Sequence, residues 1–210
     1  MIAYLALLVL IAVQRLDELR RSRHNAAWAL ARGGVEFGQR QLPVMAWLHS
    51  TLLIGSAVEV VVLDRPFVPA IGFPMLLVVV AGQCVRLWTM RVLGPYWNAR
   101  IIVVPGMVPA TSGPYRWLRH PNYLAVILEG IAIPMIHGAW ITAIAFSIAN
   151  GPLMRARIRR EEQALSFVTD YTEALGDRGS LWPTWRPSRR PAVVALREVN
   201  PTRTPDRSGT

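Results

Sequence analysis

The densest group of polar and aromatic side chains lies in G-P-Y-R-W-L-R-H-P-N-Y, residues 113–123, which opens directly onto an apolar run. Pro121 suits the first position of a helix, where its fixed φ and missing N–H cost nothing. His120 then stands at a helix N-terminus, beside backbone N–H groups that favour a polar or anionic ligand. Tyr115, Trp117 and Tyr123 can stack on a flat ligand ring or sit in the aromatic belt of a membrane surface. A second polar run, R-I-R-R-E-E at 157–162, follows one apolar stretch later. On a helix Arg157 and Glu161 are i,i+4 neighbours, so the run reads either as an ion-paired solvated face or as part of a site.

Other chemistry-bearing residues are sparse. Glu59 and Glu129 fall in or near apolar runs, where a carboxylate is costly and faces a cavity or a partner. Glu129 lies two turns beyond Pro121 and is placed to line a pocket above the first cluster. Glu59 is expected to snorkel to the outer boundary. His24 and His49 read as packing or headgroup contacts, and no second ligand at metal spacing accompanies them. The single cysteine, Cys84, reads as a buried inert thiol. Neither G-x-G-x-x-G nor a Walker loop occurs, which excludes a Rossmann domain.

The elements that must position these residues are membrane-length. Of 210 residues, 52% are hydrophobic and 17% charged, more apolar than a soluble core requires. The net charge of +10 is carried by Arg alone. These Arg residues lie between apolar runs, which fits anionic headgroups and the positive-inside rule and argues against nucleic acid as a partner. Residues 1–13 begin a retained first span that continues into R-L-D-E-L-R-R, since no basic residue precedes it and no small-residue cleavage site follows. A basic connection follows, then spans at about 42–63 and 70–93, separated by a Pro turn. R-I-I-V-V-P-G-M-V-P reads as a strand-like segment and turn.

The apolar run at 122–154 is too long for one crossing and is broken near Pro134, His137 and Gly138. It reads as a helical hairpin, 122–136 and 139–155, with helix carrying on to about 174. The expected architecture is an all-α integral membrane protein of about five spans. Residues 1–175 form the domain, and 176–210 a Pro/Arg-rich disordered tail. With the N-terminus outside, the Arg-rich connections fall on the cytosolic side of the inner membrane, and the two polar runs share that side.

With these residues in view, the chain resembles the isoprenylcysteine carboxyl methyltransferases, and especially a bacterial branch found beside type III polyketide synthases. The likeness rests on S-G-P-Y-R-W-L-R-H-P-N-Y followed, one hairpin later, by R-I-R-R-E-E-Q-A-L. R-I-I-V-V-P-G and the early R-x-x-E-L…R-G-G-V-E…L-H pattern add to it. It implies a membrane methyltransferase using S-adenosylmethionine. Cofactor contacts would come from Tyr115, His120, Pro121, Asn122 and Tyr123, with Met107, Val108, Pro109, Ala110 and Arg100 upstream. That upstream stretch departs from the His-Thr of eukaryotic members. Arg157 would face the substrate, and Glu161 would hold the cofactor.

The implied acceptor is lipophilic and reached from the bilayer. It is either an alkylresorcinol- or alkylpyrone-type polyketide lipid or a prenylcysteine-like carboxylate, and the bacterial likeness favours the former. A hydroxyl acceptor would benefit from a base, for which Glu162 and Glu129 are the candidates. The competing reading is an NADPH-dependent membrane sterol or enone reductase, a class that also carries R-H-P-N-Y. That class would follow the string closely with Gly-Glu, where L-A-V-I-L-E stands here.

Overall fold

Long apolar runs bounded by Pro and Gly become the helices of a bundle. The computed structural model describes residues 1–168 and 170–182; of the tail read as disordered, residues 183–210 lie outside the described residues. The elements are α1 (Ile2–Leu30), β1 (Val35–Phe37), α2 (Gln41–Val62), α3 (Pro69–Leu93), β2 (Ile101–Val103), α4 (Pro121–Met135), α5 (Trp140–Val168) and α6 (Tyr171–Leu175). Single 3-10 turns fall at Gly94–Tyr96 and Gly113–Arg116.

The helix boundaries follow local chemistry. Pro69 starts α3, Pro121 starts α4, and Gly94 ends α3 with a positive φ. The hairpin expected between α4 and α5 is present, but α4 passes through Pro134. The break comes at residues 136–139, where Gly138 takes φ +67°. Two extents differ from the sequence expectation. α1 does not end in a basic connection but runs on to Leu30, because Ala- and Arg-rich sequence without Gly or Pro is strongly helical. Its extension is held by Ser22, bonded to Asn98 at 2.7 Å, and by Asn25, bonded to the Trp97 carbonyl at 2.7 Å. α5 ends at Val168 and does not continue to 174; Asp170 begins the separate α6.

The strand expected at R-I-I-V-V is β2. Its partner β1 comes from G-G-V-E-F-G, in antiparallel register with Phe37 opposite Ile101 and Val35 opposite Val103. Phe37, Ile101 and Val103 pack on Ala164 and Leu165, so the small sheet rests on the polar extension of α5.

The bundle has two distinct ends. Tyr4, Leu8, Val60, Val79, Ile133 and Ile136 form a dry core at one end, with the Tyr4 hydroxyl donating to the Ile133 carbonyl at 3.0 Å. At the other end the middle of α1, the starts of α2 and α4, and the later parts of α3 and α5 surround a cavity. α2 and α3 are each long and apolar enough to cross a membrane, whereas α4, at 15 residues, is shorter than the span length of about 20. Trp47, Ile54 and Val62 on α2 and Phe73, Leu77 and Val80 on α3 face outward, as a lipid-facing surface requires.

Three further expectations are corrected or extended. Cys84 is exposed on α3, not buried. Glu59 does not snorkel but is buried against the start of α5. It accepts the backbone N–H of Ile141 at 3.2 Å, the N–H and hydroxyl of Thr142 at 2.8 Å each, and Arg65 at 3.0 Å. A carboxylate there satisfies helix donors that have no intrahelical partner and complements the helix dipole. The packed chain also runs past residue 175. Gly179 and Ser180 accept the N–H groups of Arg119 and His120, and Leu181 packs on Tyr123, Val126 and Met154. Glu59→Ala is therefore expected to destabilise the protein by about 2–3 kcal/mol. A thermal melt in detergent should show this as a lowered midpoint, with Glu59→Gln, which keeps an acceptor, losing less.

Candidate active site

The two polar runs meet because the α4–α5 hairpin folds them back to the same end. Tyr123 lies in the first turn of α4, and Arg157 and Glu161 one helical turn apart on α5. The Arg157 Nε donates to the Tyr123 hydroxyl at 2.8 Å, and that hydroxyl donates to the Glu161 carboxylate. Thus the tyrosine oxygen stands between the arginine and the glutamate, in place of a direct intrahelical ion pair. Arg157 is only 4% exposed, and its other nitrogens bond the Ala99 carbonyl at 2.5 Å and the Met45 sulfur at 3.2 Å. Each of the three guanidinium nitrogens thus has a partner, which fixes its plane and leaves two of its five N–H donors uncommitted.

These residues form part of the wall of a cavity of about 370 Å³. Of the sequence-predicted residues, Arg100, Met107, Pro109, Ala110, Tyr115, Asn122, Tyr123, Arg157 and Glu161 line it. Arg100 is held at 3.2 Å by Glu36 of β1, so the small sheet fixes one side of the cavity. Gly113, in the S-G-P-Y turn, has φ +58°, and a Cβ there would meet Val92 at 2.6 Å; only glycine lets this turn close over α3.

The other predicted residues stand elsewhere. Val108 is 83% exposed and points away. His120 and Pro121 are buried behind the wall: the His120 ring stacks on Tyr123 at 5.3 Å and its Nε2 donates to Glu162 at 3.0 Å. Glu162 also pairs with Arg119 at 2.8 Å and does not line the cavity. The N–H groups expected to be free beside His120 are not all so, since those of Arg119 and His120 bond residues 179 and 180. Glu129 reaches only a neighbouring void of about 10 Å³, and its carboxylate is taken by Arg15 and Arg86, both at 2.5 Å.

That pairing exposes what the sequence reading missed. Arg15 and Glu18 of α1 and Arg86 of α3 line the cavity and form one buried network with Glu129, extended by the Gln14–Gln83 bond at 2.6 Å. His49, Trp97, Asn98 and Tyr171 line it as well. The available signal was Glu129 itself: an intramembrane carboxylate demands a cation, and Arg86, inside an apolar run, was unclaimed. Burial raises the ionisation of the Tyr115 and Tyr171 hydroxyls above the ordinary tyrosine value, so both stay protonated at working pH. The Glu162 carboxyl is held below its ordinary value, first by the His120 hydrogen bond and then by the charges of His120 and Arg119.

The model of the isoprenylcysteine carboxyl methyltransferase family matches residues 75–167, which contain both polar runs and the hairpin between them. A Bacillus subtilis protein described as uncharacterized, YpbQ, is 37% identical over 160 residues, covering 76% of this chain and 94% of that protein. The chain belongs to the isoprenylcysteine carboxyl methyltransferase family. An uncharacterized Haemophilus influenzae protein is more distantly similar, 25% identical over 149 residues and covering 70% of this chain and 84% of that protein. Membership makes the chain a membrane methyltransferase, and the family match spans both Tyr123 and the Arg157–Glu161 pair.

Glu162 gives a pH test of the support behind this wall. A carboxyl whose folded value is depressed adds stability above its ordinary value, and that stability is lost as pH falls through the folded value. The thermal midpoint is expected to fall as pH drops below 4.5, the ordinary glutamate value, and Glu162→Gln should flatten that part of the curve.

Proposed function

We propose that the chain is an S-adenosylmethionine-dependent O-methyltransferase acting on a lipophilic acceptor drawn from the bilayer. The acceptor is a hydroxyl of an alkylresorcinol- or alkylpyrone-type polyketide lipid, or else a prenylcysteine-like carboxylate. The observation that carries this reading is the Arg157–Tyr123–Glu161 contact in the wall of a cavity lined by both polar and apolar side chains.

The residues fit the cofactor. Glu161 offers a carboxylate to a cationic or hydroxyl group, Tyr115 and Tyr171 contribute aromatic rings to the lining, and Met107, Pro109 and Ala110 supply apolar side chains. When bound, the cofactor supplies an electrophilic methyl group on a sulfonium. Arg157, locked by Tyr123, Ala99 and Met45, is placed to orient an anionic oxygen. Leu16 and Leu19 of α1 with Leu42, Ala46 and Leu53 of α2 offer the acceptor's tail an apolar lining. Such enclosure favours the reaction, because water stabilises the separated cation and anion more than the charge-dispersed transition state.

The topology that goes with this reading has five spans, an outer N-terminus and the cavity opening on the cytosolic side. The Arg residues gathered at the cavity end support that orientation through the positive-inside rule. Type III polyketide synthases are the enzyme class expected to supply a polyketide-lipid acceptor.

Purified protein in detergent is expected to bind S-adenosylhomocysteine with an affinity of about micromolar order, or about −8 kcal/mol. Glu161→Gln should weaken that binding tenfold or more, whereas Arg157→Ala should abolish turnover while leaving binding within a few-fold. Calorimetry that detects NADPH but neither S-adenosylmethionine nor S-adenosylhomocysteine would favour the reductase reading instead.

A further inference from the structure

We propose that His49 is the general base of the reaction, and that the acceptor is therefore a lipid hydroxyl and not a carboxylate. The proposal rests on the methyltransferase reading and goes beyond it in naming the base. A carboxylate acceptor is already ionised and needs none; a hydroxyl must lose a proton as its oxygen is methylated.

The carboxylates that sequence alone offers for this work are occupied. Glu129 is held by two guanidiniums at 2.5 Å each. Glu162 lies outside the cavity wall, bonded to Arg119 and His120. Within the wall, Glu161 accepts from Tyr123, and Glu18 from Arg15 at 2.8 Å and Gln14 at 3.1 Å. His49 is different. Its Nδ1 lies 2.7 Å from the Met45 carbonyl, which can only accept, so Nδ1 carries the hydrogen. The opposite nitrogen, Nε2, then holds a lone pair and has no hydrogen-bond partner among the described residues.

The position suits the task. Leu42, Met45, Ala46, His49, Ser50 and Leu53 form one face of α2, and all line the cavity. The sulfur of Met45 touches Arg157 at 3.2 Å, and His49 lies about 6 Å further along the helix axis. The base thus sits one turn from the residue that holds Arg157. The imidazole is braced edge-on by Phe146 at 5.5 Å, and Phe146 fits there because residue 130 is glycine; a Cβ would come within 2.2 Å of its ring. The charged groups facing His49 are Arg15 from α1, Arg86 from α3 and Glu129 from α4. Arg15 and Arg86 also line the cavity, where they stabilise negative charge developing on the acceptor oxygen.

The step balances. The hydroxyl proton passes to His49 Nε2 as the oxygen–carbon bond forms to the methyl group. The carbon–sulfur bond breaks, and its electron pair stays on sulfur as a thioether. The imidazolium then releases its proton to solvent.

The test uses the full chain in detergent, S-adenosylmethionine, and two alkylphenols that share a tail but differ in hydroxyl acidity. The limb of kcat/KM against pH is expected at the same position for both phenols, because it reports the enzyme's base. His49→Gln should lower kcat about 100-fold or more, with KM and S-adenosylhomocysteine affinity within a few-fold of wild type. A chromogenic alkylnitrophenol bound with S-adenosylhomocysteine gives a readout without turnover: its ionisation should shift in wild type, and His49→Gln should change that shift, leaving only the part that the cavity guanidiniums supply.

Three results would overturn the proposal: a limb that moves with each phenol's own acidity, a variant within threefold of wild-type turnover, or methylation of a lipid carboxylate with neither phenol accepted. If the variant does not fold, the wild-type limb decides alone. Failure of wild type to bind S-adenosylhomocysteine would instead remove the methyltransferase reading itself.

Discussion

The carboxylate of Glu129 holds two guanidiniums from two other helices, Arg15 of α1 and Arg86 of α3, deep in an apolar bundle. Ions taken out of water are costly unless they are closely paired, and removal of one partner leaves the others uncompensated. α1, α3 and α4 are therefore tied in one register. Arg15 is bonded in turn to Glu18, and Arg86 reaches Asn122 at 3.4 Å, so the network touches the start of α4 as well as its middle. The dry core around Tyr4 and Ile133 closes the far end of the bundle without specifying such a register, because apolar packing is tolerant of shape.

This network also sets the character of the cavity. Arg15, Arg86, Glu18 and Glu129 carry balancing charges, so the bundle encloses a polar wall without a net local charge. Two functional ends then lie to either side of Tyr123 and Arg157. Glu161, Tyr115 and Tyr171 stand on one side, and His49, Met45 and the leucines of α1 and α2 on the other. A water-soluble cofactor and a lipid tail have opposite solubility, and a cavity divided in this way can receive both.

Much of this was legible in the sequence, and the misses have physical reasons. α2, α3 and α4 begin and end within a residue or so of expectation, because Pro and Gly mark their boundaries. The extension of α1 through R-L-D-E-L-R-R was expected, but its last part, to Leu30, was not, since the basic stretch that follows looks like a connection until Ser22, Ala26 and Ala29 prove to be its buried face. β1 was hidden because a three-residue strand has no pattern without its partner β2. Nine of the predicted site residues line the cavity, since both polar runs flank one hairpin. Arg15, Arg86 and His49 come from helices far away in sequence, and nothing local marks which way such a residue faces.

The run H-P-N-Y shows how four neighbouring residues can serve four different contacts. Its four residues leave the first turn of α4 in different directions. His120 turns back to Glu162 and supports the Tyr123 ring, Pro121 is fully buried and starts the helix, Asn122 meets Arg86 of α3, and Tyr123 meets Arg157 and Glu161 of α5. Only Asn122 and Tyr123 reach the cavity. The other two keep those side chains at a fixed angle, and any change to one would be felt by both the helix junction and the site. Bundle assembly and the candidate active site therefore depend on the same few bonds, which leaves little room to loosen one without moving the other.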